Sequence, residues 1–279
     1  MIICGVILFI ILSIFIIING FNKEHFYNQK LDVAVIVEPR PHPKLIPVIQ
    51  NFIQNLPSTT KIQVFYGNQN KQLLLDAFSK EISSGKMILT PLHLDNLTLK
   101  QYNKLCTSKK FYKDIQGENI LIFQTDTCLC NNSPYKIDDF LKYDYIGAPW
   151  KDPKLKNKIG NGGLSLRKRS KMMDYIDKNP YKGGNEDLYF SRNKDFYFPS
   201  EEVASQFSTE AILNPKSYGV HKPWINLSKK NLKKMIQSCP EIKEIFYDEL
   251  KKKINNSNDL FIIYIFNYNI IFYLVQYSI

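Results

Sequence analysis

The sequence is short of the residues by which many enzymes are recognised at once. It has 4 histidines (His25, His42, His93 and His221) and no HExxH run, which removes the helical zinc-protease site and leaves little for a serine-type triad. No GxxxxGK[ST] run is present, so the phosphate loop of nucleotide hydrolases is excluded. The glycine run "GNGGLSLR" (160–167) lies far from the first strand and helix, so it is not a dinucleotide fingerprint. The 5 cysteines (Cys4, Cys106, Cys128, Cys130, Cys239) form no CxxC pair. Cys128 and Cys130 stand in a C-x-C, but no second pair completes a zinc site. The expectation is free buried thiols, which suit a reducing compartment. Internal repeats and low-complexity stretches are also missing.

What is present describes a globular protein. Hydrophobic residues make up 44% and charged residues 23% of the 279, enough for a sizeable core. Lys plus Arg number 37 against 26 Asp plus Glu, a formal charge of +11, which favours phosphates, polyanionic ligands or acidic membrane faces. Much of that excess sits in "KKNLKKMIQSCPEIKEIFYDELKKK" (229–253), read as a solvated helical face. It lacks an interleaved aromatic platform, and no nucleic-acid partner is expected.

Both ends are apolar. The first eighteen residues carry no charged side chain and are just long enough to cross a bilayer. A basic leader and a small-residue cleavage site are both missing, so an uncleaved single-pass anchor over 1–20 is expected rather than a removed signal. The flanking charges lean toward a cytoplasmic body without deciding the orientation. The last twenty residues, 260–279, are uncharged but interrupted by Asn267, Asn269 and Gln276. They suit a second membrane segment, an interfacial helix or a strand.

Between these ends short β-branched runs alternate with helical spacings. "LDVAVIVE", "KIQVFYG", "KMILTPL" and "NILIFQTD" read as strands, and "KLIPVIQNFIQNL", "KQLLLDAFSKEI" and "LTLKQYNKLCTSKKFYKDI" as helices. That order predicts βαβ units and a mainly parallel sheet. Ligands of such sheets bind beyond the carboxyl ends of the strands, which draws attention to Glu38 and Arg40, Gly67 and Asn68, and Gln124, Thr125 and Asp126. Each also suits plain turn chemistry. Asp126 is harder to dismiss, since an acid ending an apolar strand needs a partner or a cation.

Glycine is scarce, 12 in all, yet Gly160, Gly162, Gly163, Gly183 and Gly184 fall within one 25-residue window. The window runs from "GNGGLSLR" to "GGNEDLYF". Glycine lets backbone pass close to a ligand and turn sharply, although a hairpin turn before "LSLR" would explain the first run equally well. The acids Glu186 and Asp187 suit a general base, and with Asn185 they also suit a helix N-terminus. Two adjacent carboxylates can raise one another's pKa.

The order strand-acid, "GNGGLSLR", "ED" and "GVHKPW" (219–224) resembles the GT-A glycosyltransferases. In particular, residues 31–226 look like a glycosyltransferase-like domain-of-unknown-function family of large DNA viruses and microbes. The resemblance implies an α/β, GT-A-like (Rossmann-related) mainly parallel sheet flanked by helices. Together with the apolar ends and the basic segment, the expected organisation is an N-terminal transmembrane anchor (1–20), a catalytic domain (31–227), a basic helical extension (228–258) and the apolar tail (260–279).

The function so implied is hexosyl transfer from a UDP- or GDP-sugar to a glycan, protein or lipid acceptor, with inversion favoured. Glu186 or Asp187 would be the base. Glu38, Arg40, Gln124, Thr125, Asp126, Asn161, Gly162, Gly163 and Lys222 would face the donor. Asp126 and His221 would hold Mn²⁺ or Mg²⁺, a thin cage because Gln124 replaces the first acid of the usual Asp-x-Asp. Tyr145 and Trp150 would stack on the acceptor, with core packing the competing role. Two rivals remain: a degenerate glycan or nucleotide binder at a membrane, and a tethered scaffold using the basic segment and tail.

Overall fold

The computed structural model describes residues 30–254. The expected anchor (1–20), the tail (260–279), Cys4 and the last residues of the extension therefore lie outside the described residues. Among the described residues no helix is long and apolar enough to cross a membrane.

In chain order the elements are β1 (Val33–Glu38), α1 (Leu45–Asn55), β2 (Lys61–Tyr66), α2 (Lys71–Ala77), α3 (Ser79–Ser83), β3 (Met87–Pro91), α4 (Leu99–Cys106), α5 (Lys109–Asp114), β4 (Asn119–Phe123) and β5 (Thr127–Leu129). After a 3₁₀ turn at Ile137–Phe140 come β6 (Tyr145–Gly147), β7 (Leu164–Lys168), α6 (Arg169–Lys178), α7 (Glu186–Ser191), α8 (Glu201–Phe207), β8 (Ser208–Thr209), β9 (Gly219–His221), α9 (Pro223–Asn226), α10 (Lys229–Ser238), α11 (Glu241–Ile245) and α12 (Tyr247–Ile254).

The main sheet has the order β3-β2-β1-β4-β7-β6. β1, β2, β3 and β4 pair in parallel, β7 is antiparallel to β4, and β6 is antiparallel to β7. Five of the six strands therefore share one direction, the mainly parallel sheet that the βαβ alternation predicts. Both faces are covered. Ala34 and Ile36 of β1 join Leu45, Val48 and Phe52 of α1 in one core, whereas Val33, Val35 and Val37 join Phe111, Tyr112 and Phe190 in the other. This two-sided burial is why β1 reads as a continuous apolar run rather than an alternating one.

Two predicted helices are each broken in two. Phe78 leaves helical geometry and buries its ring between α2 and α3. Ser108 interrupts the longer run because its side chain accepts from the Phe111 N–H and so starts α5 afresh. α4 opens with a reciprocal capping box between Thr98 and Gln101.

The basic segment becomes α10, α11 and α12. Its lysines 229, 230, 233 and 234 are exposed, but Leu232, Met235, Ile242, Phe246 and Leu250 join the core containing α1. Cys130 and Cys239 form a disulfide that ties the end of α10 to the residue after β5. The free-thiol reading is corrected for those two residues, whose 109-residue separation in the chain gives no hint of their pairing. Cys106 and Cys128 are free and buried, and burial pushes both thiols up.

Candidate active site

A second, three-stranded sheet of order β5-β9-β8 assembles the polar centre by register. Antiparallel pairing sets His221 opposite Thr127, the residue after Asp126. Parallel pairing of β8 with β9 sets Thr209 beside Val220, which brings Glu210 to the far side of the imidazole. His221 Nε2 then lies 3.3 Å from Asp126 Oδ1, and Nδ1 lies 3.5 Å from Glu210 Oε1. His221 is 2% exposed, while the Asp126 side chain keeps 35% of its surface open. Burial pushes the Asp126 carboxyl up, but the electrostatic attraction of His221, with Lys222 behind it, brings it below its ordinary value.

Glu210 is a residue that sequence reading missed. It is buried, accepts from Asn161 Nδ2 at 2.8 Å and Asn226 Nδ2 at 3.3 Å, and lies 3.7 Å from the Lys222 ammonium. Burial raises its carboxyl, opposed by His221 and Lys222. Nothing in "FSTEAIL" marks it, because its partners come from three other segments.

The glycine run reaches the same place because β7 is antiparallel to β4. Leu164 pairs with Phe123, so the residues entering β7 lie beside those leaving β4. The sequence expected this backbone to approach a donor. Instead it approaches protein: a Cβ at Gly162 would stand 2.1 Å from Glu186 Oε1, and one at Gly163 would stand 2.2 Å from the His221 ring. Asn161 is likewise buried, its Oδ1 accepting from Gly163 N at 3.0 Å. The three residues join the acid pair to the histidine.

The two acids have different surroundings. Glu186 is 4% exposed, and Arg167, with no exposed surface, brings Nη1 to 2.9 Å from Oε2 and donates Nη2 to Oε1 at 3.1 Å. Burial raises the Glu186 carboxyl, an effect Arg167 opposes. Glu186 is therefore corrected as a candidate base, since it is shielded from any acceptor and held by a cation. Asp187 is half-buried, and its Oδ2 accepts from Gly162 N at 3.3 Å. Arg167 carried a signal that went unread: a charged residue in an apolar strand buried on both faces must have a partner.

Tyr145 is corrected as an acceptor platform. It is fully buried, its hydroxyl donates to the Gly160 carbonyl, and the Arg167 guanidinium lies 4.9 Å from its ring centre. Trp150 is half-buried, with its backbone N–H donating to the Lys158 carbonyl at 2.8 Å.

At the carboxyl ends of β1 and β4 opens a cavity of about 290 Å³, whose lining includes Glu38, Arg40, Tyr102, Gln124, Thr125 and Asp126. Glu38 is buried and grips Arg40 through two side-chain hydrogen bonds of 2.8 and 2.7 Å. Gln124 Nε2 donates to Tyr102 Oη at 3.0 Å. Gly67 and Asn68 do not line the cavity. They belong to turn chemistry, Gly67 N donating to Asn70 and Asn68 to Asp95. Lys222 adopts a left-handed backbone, φ 35°, which turns the chain into α9 directly after His221.

Among the described residues no group of three or more His, Cys, Asp and Glu side chains is arranged to hold a metal ion. Asp126 and His221 nevertheless fit as a pair. Asp126 Oδ1 and His221 Nε2 are both buried and meet no hydrogen-bond geometry. Their 3.3 Å separation is near the ~3 Å expected of adjacent ligands around an octahedral ion of Mg²⁺ size.

Fold and site together define an α/β protein with a polar cleft at the carboxyl edge of a mainly parallel sheet. A family described as a protein of unknown function (DUF5672) matches residues 90–221, a stretch that includes Asp126, Asn161, Asp187 and His221. No curated protein matches the chain. Among solved structures it is similar to the apo-form glycosyltransferase GlyE of Streptococcus pneumoniae TIGR4, at 12% identity and a TM-score of 0.48, over 80% of this chain and 64% of that one. The chain thus spans less than two thirds of the GlyE structure. It is also similar to HddC from Yersinia pseudotuberculosis, at 12% identity and a TM-score of 0.41, over 74% of this chain and 99% of that one. HddC has also been solved complexed with GMP-PN.

Proposed function

We propose that this protein is a glycosyltransferase that moves a hexose from a UDP- or GDP-sugar to a glycan, protein or lipid acceptor, with inversion. The observation that carries the reading is the convergence of Asp126, Asn161, Asp187, Glu210, His221 and Lys222, from five separated segments, at the carboxyl edge of the sheet. The expected anchor over 1–20 would place this activity at a membrane.

The cavity of about 290 Å³ is close to the lower end of ligand-site volumes and would take the nucleoside. The Glu38–Arg40 pair offers fixed polar groups at its wall. Lys222 would meet the diphosphate as a point charge. Asp126 and His221 would hold Mg²⁺ or Mn²⁺, which when bound supplies charge neutralisation to the departing diphosphate. Glu210, whose Oε1 lies 3.5 Å from the opposite ring nitrogen, would orient His221 as outer carboxylates commonly do.

Asp187 would take the proton of the acceptor hydroxyl as that oxygen bonds to the anomeric carbon and the carbon–phosphate-oxygen bond breaks. The electron pair leaves with the nucleoside diphosphate. Arg167 and Glu186 take no proton in this scheme. They fix the first turn of α7, so Asp187 acts from a rigid base.

Calorimetric titration of the purified chain with UDP- and GDP-sugars, with and without Mn²⁺, tests the proposal. Absence of binding by every donor would reject it. One observation favours a second reading, a glycan or nucleotide binder without turnover: Gln124 stands where a first acid is usual and is engaged with Tyr102. Asp187→Asn separates the two, because it lowers turnover about 10²–10⁴-fold in a transferase and changes nothing in a binder.

A further inference from the structure

Helix α4 is a wall between two cavities. Leu99 and Tyr102 face the cavity that contains Asp126, while Lys100, Asn103 and Lys104 open onto a second, of about 460 Å³, and Leu99 borders both. The far side of the second cavity is formed by the chain entering α7, from Tyr181 to Asn185. Asn103 closes the junction: its Oδ1 accepts from the Glu186 N–H at 3.0 Å, one residue before Asp187. This second cavity therefore shares the α4 wall with the nucleoside cavity, and its lining ends at Asn185, two residues before the candidate base.

Its charge is one-sided. Lys100, Lys104 and Lys182 border it, and no carboxylate does. All three lysines are exposed, and among the described residues none pairs with an acid. Two of the three lysines that follow on α5 behave otherwise, Lys109 pairing with Asp177 and Lys110 with Asp114. The rest of the lining is uncharged: Asn103 and Asn185, two glycines, Leu99 and Tyr181. Leu99 is 72% exposed, and Tyr181 is half-buried. Gly183 and Gly184 have φ of 103° and 97°, and no atom lies within 4 Å of where either Cβ would stand. Unlike Gly162 and Gly163, they do not accommodate protein. They leave the rim open.

We propose that this cavity holds the acceptor, and that the acceptor is a sugar carrying a carboxylate or a phosphate. The proposal rests on the transferase reading and names its acceptor class. Three unpaired ammonium groups supply the counter-charge, and Leu99 and Tyr181 supply apolar surface for the C–H face of the ring. With the acidic group held on the lysines, a ring hydroxyl turns toward the first turn of α7 and Asp187. A neutral sugar would leave the three lysines without a partner and gain only the apolar contact.

The test uses the full chain loaded with nucleoside diphosphate, monitored by ligand-observed NMR against matched sugars: glucose, glucuronate and glucose 6-phosphate, and the corresponding galactose series. At least one acidic member should bind ten-fold or more tightly than its neutral counterpart. That ratio should collapse toward one in a Lys100→Gln/Lys104→Gln/Lys182→Gln variant and shrink with added salt. Equal binding of acidic and neutral sugars, or a ratio unchanged in the variant, overturns the acceptor class while donor binding keeps the transferase reading standing. Failure of the chain to bind any nucleoside diphosphate overturns the transferase reading itself, and the acceptor assignment with it.

Discussion

The Arg167 guanidinium and the Glu186 carboxylate form an ion pair inside the protein, 2.9 Å apart at Nη1 and Oε2, with Tyr112 Oη accepting a further hydrogen bond from the same cation. A pair of this kind is costly to break from one side, because the remaining charge stays buried. Glu186→Ala should lower stability by about 3–5 kcal/mol. Asp187→Asn, at the next position but half-buried, should cost under about 1 kcal/mol while lowering turnover about 10²–10⁴-fold. Urea denaturation and single-turnover sugar transfer on both variants check this, and similar stability losses in the two would remove the distinction drawn between the acids.

Gly163 and Gly183 separate two uses of glycine. Gly163→Ala would place a methyl 2.2 Å from the His221 ring, so His221 must move, with an expected loss of about 1–3 kcal/mol and of donor affinity. Gly183→Ala meets no atom and suffers only its left-handed backbone, about 1–2 kcal/mol. Donor affinity should fall in the first variant alone, as read by calorimetry.

The Cys130–Cys239 disulfide closes a 109-residue separation between the end of β5 and the end of α10. Loop-closure entropy for a segment near that length corresponds to about 4.7 kcal/mol, and measured effects usually fall to 2–4. Reduction by dithiothreitol and Cys239→Ser should each lower Tm by a similar amount, and reduction of the variant should add nothing further. Disulfides are usual in oxidising compartments, whereas the free thiols expected from the cysteine pattern suit a reducing one. Intact-mass analysis under non-reducing conditions should show the mass lower by two hydrogens than after reduction.

Stability should decline as pH rises through and above the ordinary carboxylate range. Burial raises Glu186 against Arg167, and raises Glu210 against His221 and Lys222. A carboxyl raised on folding contributes fully below its unfolded value, near 4.3 for glutamate, and that contribution is lost as pH climbs through the raised value. Asp126 runs the other way: with a lowered value, its contribution is present above the usual aspartate range and lost in acid. Glu210→Gln should flatten the decline. Urea midpoints from about pH 4 to about pH 8 decide it, and parallel curves for the two proteins would reject Glu210 as a contributor.

Much of the sheet was legible without coordinates, for one physical reason. A strand covered on both faces needs apolar side chains in succession, so β1 and β4 show themselves as "VAVIVE" and "NILIF". The same local logic placed Asp126 at a strand end, and Glu186 and Asp187 at a helix start. It could not rank the two acids. Which of them points inward depends on Arg167, a residue of β7 that meets Glu186 only across the fold.

The amino-acid order alone determined the strands β1 to β4 and the helical stretches between them, and where the chemistry-bearing residues stand along the chain, because those properties follow from neighbours a few positions away. Tertiary structure alone decided what Asp126, Glu210 and His221 do together, since their approach depends on the pairing of β5 and β8 with β9. It also decided that Gly162 and Gly163 make room for Glu186 and His221, and that Cys130 meets Cys239. Contacts between residues far apart in the chain are set by sheet register and core packing, and neither leaves a periodicity or a motif in the sequence.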